Sequence, residues 1–316
     1  MSGNVAPPLS GTAILTRGLC RRFGDDPVVD GLDLEVRSGD FYGLVGPDGA
    51  GKSTVLRLLS GILRPTGGEG RVLGFDLRTE PERIKAQIGY LSQNFTLYGD
   101  LTVDENIEFF AELHGCRDWA RRRDELLAFT RLAPFRTRPA QALSGGMKKK
   151  LALACTLVHT PALLFLDEPS TGVDPVSRGE FWRILSDVRS RGVTVVMTTP
   201  YLDEASRCQR VGLLHRGRLL LSGPPDDVRA ALPGSVQRLD CRSPVQACDA
   251  LRRRWPPERI VLHGGRIRFW ARGGDAEVGE ALALLDANGF GPSSATPLAP
   301  SLEDAFVALL SEGDGR

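Results

Sequence analysis

One eight-residue segment constrains the fold of this chain more than any other feature. The segment Gly46-Pro47-Asp48-Gly49-Ala50-Gly51-Lys52-Ser53 fits the pattern G-x-x-x-x-G-K-[ST] and follows the apolar run Phe41–Val45. It predicts a strand, a phosphate-binding turn and a helix from Lys52, because glycines let backbone N–H groups curl around a phosphate. We expect Lys52 to reach the β and γ phosphates of a nucleotide and Ser53 to bind Mg²⁺. The other expected nucleotide-binding residues here are Gly46, Gly49, Gly51 and Thr54.

A second motif places two carboxylates at the end of an apolar run. The run Leu163-Leu164-Phe165-Leu166 reads as a buried strand, and Asp167 and Glu168 follow it directly. A Mg²⁺ site explains such a pair: Asp167 would hold the ion through water, and Glu168 would orient or deprotonate an attacking water. The alternative for this second motif is an acidic pair in a solvated loop. For the first motif, the alternative is a glycine-rich turn that matches the pattern by chance.

The order of predicted elements indicates an α/β fold followed by a smaller α+β domain. Strands at residues 12–19 and 28–36 precede alternating strands and helices, which predicts a parallel sheet with helices on its faces. Residues 102–158 have a helical pattern and predict a separate helical subdomain. Periodicity starts afresh after the Pro- and Gly-rich residues 222–235, and the module beyond resembles a ferredoxin-like one. The expected domains are a disordered leader at 1–11, a nucleotide-binding domain at 12–232 and a C-terminal accessory domain at 233–316.

Charge and cysteine usage exclude several classes of function. Lys and Arg (40) nearly equal Asp and Glu (39), so there is no global positive field and we expect no nucleic-acid partner. The six cysteines have no regular spacing and no His partner at metal-ligand distance, which predicts a reduced, cytosolic protein. The sequence contains no signal peptide and no run of about 18 apolar residues, so we expect a chain that neither spans a membrane nor is exported.

A third motif introduces a family resemblance. In Leu143-Ser144-Gly145-Gly146-Met147, Ser144 is placed as a helix N-cap and two glycines expose backbone N–H groups, which predicts a second anion site. GTPases and kinases need no second phosphate-binding helix N-terminus shortly before the Mg²⁺ aspartate, whereas ATP-binding cassette (ABC) proteins do. Over residues 12–225 the chain resembles that family. The resemblance implies a P-loop ATPase domain with a mixed sheet core and a helical subdomain, using ATP and Mg²⁺.

The resemblance also implies roles for further residues. In the family, two ATP molecules lie between two subunits, so Ser144, Gly145 and Gly146 would contact the γ-phosphate held by a partner. Phe23 would stack on adenine, with a core or turn aromatic as the alternative. Gln93 would sense Mg²⁺ and the attacking water, with a simple loop amide as the alternative.

The dimer contacts implied by the resemblance involve Gly172 and Asp174, which would bridge the two subunits. By contrast, we expect the adjacent lysines Lys148, Lys149 and Lys150 to form the solvated face of the helix behind the signature motif. The working dimer is a homodimer or a pair with a paralogue.

Three segments are similar to the drug and polysaccharide exporter branch of the family, with daunorubicin-resistance-type ATPases as the nearest resemblance. They are LSQNFTLYGDLTVDENIEFFAELHG, the signature LSGGM, and PSLEDAFVALL at residues 300–310. The similarity implies an ATP-hydrolysing subunit that powers a membrane exporter with a separately encoded permease. Such a subunit is cytoplasmic and lies on the inner face of the cell membrane.

Three positions depart from the family pattern. Asp48 stands where Asn is usual, Met147 stands in place of Gln, and Pro200 stands where a His normally contacts the γ-phosphate. The last departure keeps open a regulatory cassette with slow or no turnover, although the retained Glu168 argues against it. A non-transport ABC ATPase of ribosomes or DNA is a further alternative, but this chain has neither tandem cassettes nor a long coiled-coil insertion.

Overall fold

The computed structural model describes residues 11–94 and 97–313 of the chain. Apart from Gly11, the expected leader at residues 1–11 lies outside the described residues. The chain divides into two compact units, the first ending at Ser222 and the second beginning at Gly223.

The first unit contains most of the strands and helices. In chain order they are β1 (Thr12–Phe23), β2 (Asp26–Arg37), β3 (Phe41–Val45), α1 (Lys52–Leu59), β4 (Gly67–Val72), β5 (Phe75–Asp76), α2 (Pro81–Lys85), β6 (Ile88–Leu91), α3 (Val103–Leu113), α4 (Trp119–Thr130), α5 (Gly145–Leu157), β7 (Leu163–Asp167), α6 (Pro175–Ser190), β8 (Thr194–Thr199), α7 (Leu202–Ala205), β9 (Arg210–His215) and β10 (Arg218–Gly223). Short 3₁₀ turns lie at Ala133–Phe135 and Ala140–Ala142.

Two sheets form the core of this unit. One has the order β2-β1-β4-β5 with antiparallel neighbours, and the other has the order β10-β9-β3-β8-β7-β6. In the second sheet β3, β7 and β8 are buried at every residue, which explains the apolar runs within them, and they pair in parallel. Because parallel strands end at the same edge, this edge receives the residues that follow β3, β7 and β8.

The predicted helical region forms a bundle of three helices. Helices α3, α4 and α5 contact one another, and α5 also contacts α6. A capping box starts α3: the Thr102 hydroxyl accepts from the backbone N–H of Glu105, and the Glu105 carboxylate accepts from the backbone N–H of Thr102. Ser144 and Asp174 cap the N-termini of α5 and α6, each by accepting from backbone N–H groups of the first turn.

The second unit is a small α+β domain, as predicted. It contains α8 (Pro225–Ala230), β11 (Ser235–Asp240), α9 (Pro244–Arg252), β12 (Ile260–His263), β13 (Arg266–Ala271), α10 (Gly274–Ala287), β14 (Ser294–Leu298) and α11 (Leu302–Gly313). Its antiparallel sheet has the order β12-β13-β11-β14, and α9 and α10 each lie between two of its strands in sequence. This βαββαβ arrangement is ferredoxin-like.

The division between the units falls before α8, whereas the sequence suggested a boundary near Pro233. Helix α8 contacts α11, so it belongs with the second unit even though it precedes the Pro-Gly pair at Pro233. In the described ranges, no helix combines the length and the apolar character required to cross a membrane.

Candidate nucleotide site

The glycine-rich turn between β3 and α1 is packed against the chain's own backbone. A Cβ at Gly46 would overlap the carbonyl oxygen of Leu214, and a Cβ at Gly51 would lie 2.6 Å from the carbonyl oxygen of Val28. Gly51 has φ of +99° and is the N-cap of α1. Both glycines are therefore required by close backbone approach, and the turn leads directly into the N-terminus of a helix, where an anion is favoured.

Lys52 is buried inside this turn, with 4% of the residue exposed. Its Nζ donates to the carbonyl oxygens of Gly46 at 2.9 Å and Pro47 at 3.0 Å. The same Nζ lies 3.2 Å from Oε1 of Glu168, so the two predicted groups form an ion pair across the site. The ammonium group is thus held at the centre of the turn by three oxygen atoms.

Asp167 connects the ends of three elements. Its Oδ1 accepts from the hydroxyl of Ser53 at 2.9 Å and from the hydroxyl of Thr198 at 2.7 Å. The Thr198 hydroxyl also accepts from the backbone N–H of Glu168 at 3.0 Å. Sequence reasoning missed Thr198, although the Thr pair that follows the apolar residues of β8 was a usable signal.

Glu168 is held by several side chains in a left-handed backbone conformation. Its φ is +46°, which a residue other than glycine adopts at a cost of about 1–2 kcal/mol. Its Oε2 accepts from Nε2 of Gln93 at 3.2 Å and from the Thr171 hydroxyl at 3.4 Å, while Oε1 faces Lys52. Such conformations persist where the surrounding contacts over-determine them, and they cluster at functional sites.

An open cavity of about 460 Å³ lies beside these groups. It brings together seven of the predicted site residues, namely Gly49, Gly51, Lys52, Ser53, Thr54, Gln93 and Glu168. Gly46 and Asp167 contact this set directly, through Lys52 and Ser53. Pro200 and Tyr201 also line the cavity, so the position where the family places its His faces the same space.

The signature residues Ser144, Gly145 and Gly146 are not among the lining residues of this cavity. Ser144 caps α5 by accepting from the backbone N–H of Met147 at 3.3 Å. A Cβ at Gly146 would lie 2.5 Å from Cβ of Ser177 on α6, whereas a Cβ at Gly145 would meet no described atom within 4 Å. Gly146 therefore permits packing against α6, and Gly145 leaves the helix N-terminus uncovered.

Asp174 and Phe23 are likewise not among the lining residues. Asp174 caps α6, and hydrogen bonds from Ser177, then from the backbone N–H of Val176, lower the pKa of its carboxyl group. Phe23, at the end of β1, is 48% exposed, and the Arg21 guanidinium lies 4.5 Å from its ring centroid. Phe23 is thus not a core aromatic; a turn aromatic and an adenine platform both fit its position.

The expectation of a solvated face at the three lysines of α5 was wrong for two of them. Lys148 is exposed, but Lys149 is half-buried and its Nζ donates to the backbone carbonyl of Gln93 at 3.0 Å. Lys150 is buried and paired with Glu180 on α6. The reason is that α5 is covered by α3, α4 and α6, so little of its surface faces solvent.

The oxygen atoms beside the cavity fit a magnesium ion. Mg²⁺ prefers hard oxygen ligands and is usually bound by one or two carboxylates together with substrate phosphates and water. Ser53 and Asp167 supply a hydroxyl and a carboxylate that already lie within 2.9 Å of each other. Among residues 11–94 and 97–313, no group of three or more His, Cys, Asp or Glu side chains is suited to a metal, so the phosphates would complete this set.

Comparison with known proteins gives a consistent set of relatives. Residues 29–171 match the family model described as ABC transporter. The chain is 37% identical over 304 residues to the daunorubicin/doxorubicin resistance ATP-binding protein DrrA of Streptomyces peucetius, covering 94% of this chain and 92% of DrrA. It is 37% identical to the Nod factor export ATP-binding protein I of Ralstonia nicotianae, covering 70% of each chain.

A longer relative and a solved structure agree with these matches. The chain is 43% identical over 224 residues to the probable multidrug ABC transporter ATP-binding protein YbhF of Escherichia coli, but it spans only 38% of that protein's length. A solved structure described as the ATP-binding subunit of an ABC transporter superposes with a TM-score of 0.63 at 28% identity, covering 69% of this chain and 92% of the other.

Proposed function

Because the chain belongs to the ABC transporter family of ATP-binding proteins, we propose that it binds and hydrolyses ATP to power a membrane exporter with a separately encoded permease. The observation that carries the proposal is the ion pair of Lys52 with Glu168, whose other oxygen accepts from Gln93. A phosphate-binding lysine, a candidate water-activating carboxylate and an amide are thus joined at the edge where β3 and β7 end.

We assign each of these groups a distinct task. Lys52 binds the β and γ phosphates of ATP. Glu168 orients or deprotonates the attacking water, and Gln93 holds the carboxylate in place. Gly46, Gly49, Gly51 and Thr54 form the cradle. When bound, Mg²⁺ would neutralise developing phosphate charge, with Ser53 and Asp167 as its protein ligands.

The signature turn supports a site shared between two subunits. Ser144, Gly145 and Gly146 form a helix N-terminus that is not among the residues lining the cavity beside Lys52, and a Cβ at Gly145 would meet no described atom within 4 Å. A second cassette, either another copy or a paralogue, would supply its own signature turn to this cavity. In that arrangement Phe23 stacks on adenine and Asp174 lies at the interface between the subunits.

The export role rests on the relatives, whose names describe drug resistance, multidrug transport and Nod factor export. Export requires a membrane partner, so the subunit works at the inner face of the cell membrane against a permease. We further propose that the unit beginning at Gly223 is an accessory domain that adjusts subunit or permease contacts, because all the nucleotide motifs lie before it.

The test is ATP turnover by the purified chain together with the variant Glu168→Gln. Wild type should hydrolyse Mg-ATP, whereas Glu168→Gln should still bind ATP, lose hydrolysis and accumulate as an ATP-bound dimer in size-exclusion chromatography. Asp203→Asn, an exposed acid on α7, is the matched control and should behave as wild type. A regulatory cassette without turnover would instead give ATP binding and no hydrolysis in every protein, wild type included.

A further inference from the structure

A buried carboxyl group beneath the nucleotide site joins the two loops that border it. Glu204, on α7, is 1% exposed and is not among the residues that line the cavity. Its Oε2 accepts from the hydroxyl of Ser170 at 2.8 Å and from the hydroxyl of Thr199 at 2.8 Å. Ser170 belongs to the loop that follows Glu168, and Thr199 directly precedes Pro200. One oxygen atom therefore bridges the loop after β7 and the last residue of β8.

The bridge extends across Pro200 to a residue of the cavity wall. The Thr199 hydroxyl, which donates to Glu204, accepts from the backbone N–H of Tyr201 at 3.0 Å. Proline has no backbone N–H and no polar side chain, so Pro200 itself cannot donate a hydrogen bond that anchors this loop. Its two neighbours make the anchoring bonds instead, and both lead to Glu204.

A basic group on α6 faces the other oxygen of the same carboxyl group. Nε of Arg178 lies 3.8 Å from Oε1 of Glu204, and neither atom has a hydrogen-bond partner within the part of the chain that the structure describes. The Arg178 guanidinium also lies 5.5 Å from the ring centroid of Tyr201. A buried carboxylate with an opposite charge this close is costly to disturb, which favours one fixed arrangement of the loops.

We propose that Glu204 is a positioning residue for hydrolysis, which fixes the loop carrying Glu168 relative to the loop carrying Pro200 and Tyr201. It acts through the Ser170 and Thr199 hydroxyls and touches neither ATP nor water. The inference rests on the proposed ATP hydrolysis. Because a misplacement of about 1 Å in a catalytic group can cost about a hundredfold in rate, loosening this bridge should lower turnover more than binding.

The experiment compares Glu204→Ala, Glu204→Gln and Ser170→Ala with the control Asp203→Asn in the full chain. Steady-state ATP hydrolysis gives kcat and KM, and hydrogen exchange gives the protection of amides at residues 168–171 and 199–201. Glu204→Ala should lower kcat by about tenfold or more with KM changed less than about threefold, and should speed exchange in both loops. Glu204→Gln retains an acceptor oxygen and should restore most of the loss.

Ser170→Ala keeps the proposal testable if Glu204→Ala does not fold, because it removes a single hydroxyl and should speed exchange at residues 168–171. Unchanged exchange in both loops of a folded Glu204→Ala or Ser170→Ala variant would overturn the bridge, whatever the turnover. A wild type without turnover would overturn the proposed function, and exchange would still decide the bridge. Equal kcat in wild type and Glu204→Ala would overturn the positioning role.

Discussion

The N-termini of α1 and α5, both of which we propose to bind phosphate, have different surroundings. At α1, Gly46 and Gly51 are required by contacts with the chain's own backbone, and Lys52 is paired with Glu168. At α5, Gly146 packs against α6, but a Cβ at Gly145 would meet no described atom within 4 Å, and the Ser144 hydroxyl caps the helix. The N-terminus of α1 lies beside the cavity that Lys52 and Glu168 line, while the signature residues at the N-terminus of α5 are not among the residues lining that cavity.

This difference indicates a division of labour between the two motifs. A helix N-terminus alone binds anions weakly, because its partial charge is screened by water and falls off within the first turn. In the proposed function, the glycine-rich turn before α1 adds the buried ammonium group of Lys52 and would bind ATP within one chain. The signature turn would act on a phosphate that a second subunit brings to it.

The largest expected effect is a loss of ATP affinity at the glycine-rich turn that holds Lys52. Lys52→Ala should weaken ATP binding by about a hundredfold or more, because the buried carboxylate Glu168 loses its partner and the phosphates lose their cation. Titration with a fluorescent ATP analogue measures this. Lys148→Ala, an exposed lysine on the signature helix, is the control and should bind normally. If Lys52→Ala bound ATP with an affinity within about threefold of wild type, the proposed difference between the N-termini of α1 and α5 would be lost.

The next largest expected effect concerns Pro200, which lines the nucleotide cavity but supplies no hydrogen-bond donor to it. A lost transition-state donor typically lowers turnover by about a hundred- to a thousand-fold, so Pro200→His should raise the steady-state rate of the dimer by about tenfold or more. ATP affinity should barely change. If wild type already turns over at a rate ordinary for the family and Pro200→His is no faster, then another group of the cavity wall, such as Tyr201, has taken over the contact.

A pair of glycine variants separates packing from partner contact at the signature turn. Gly146→Ala should lower the free energy of unfolding by about 1–3 kcal/mol, because its Cβ would lie 2.5 Å from Cβ of Ser177. Gly145→Ala should change stability by less than about 0.5 kcal/mol and instead reduce hydrolysis by the dimer. Urea unfolding and ATPase assays measure the two effects. Equal stability losses would show that Gly145 also packs within its own subunit.

A fall in pH should have a smaller effect on stability, through a histidine that follows the helix begun by the signature motif. His159 follows α5, and its ring stacks on that of His114 with centroids 4.0 Å apart. Burial first, and His114 second, lower the pKa of His159 to about 4 from 6.5, so the unfolded chain binds the extra proton as pH falls below about 6.5. Stability should therefore drop by about 1 kcal/mol from pH ~7.5 to ~5.5.

The corresponding measurement is urea unfolding of wild type and His159→Phe at both pH values. The Phe variant cannot titrate at this position, so its stability should fall less over the same range. A His159→Phe variant with the full pH dependence of wild type would assign the effect to other groups.

The smallest expected effect is removal of the second unit. A chain that ends at Ser222 should bind ATP with an affinity within about threefold of the full protein, because every residue lining the nucleotide cavity precedes that point. Ending at Pro233 instead would retain α8 without its partner α11 and should give a less stable protein. If a folded chain ending at Ser222 lost ATP binding, the accessory unit would have to contribute to ATP binding.

Much of the fold could be predicted from the sequence, because its strongest signals are local. The strand, turn and helix around Lys52, the buried run before Asp167 and the start of α5 after Ser144 each depend on neighbouring residues and backbone preferences. The separate α+β module was equally visible, because its periodicity restarts after the Pro- and Gly-rich segment. Local patterns therefore specified the elements and most of the chemical groups of the site.

What the sequence could not determine was which of these groups meet, since that depends on sheet order and helix packing. Placing β8 between β3 and β7 brought Thr198 to Asp167 and placed Pro200 at the cavity. Packing of α5 buried Lys150, although its sequence neighbours suggested a solvated face. The oxygen of Glu204 joins the Thr199 hydroxyl at the end of β8 to the Ser170 hydroxyl in the loop after β7. Such contacts lie between residues distant in sequence, so only the tertiary structure decided them.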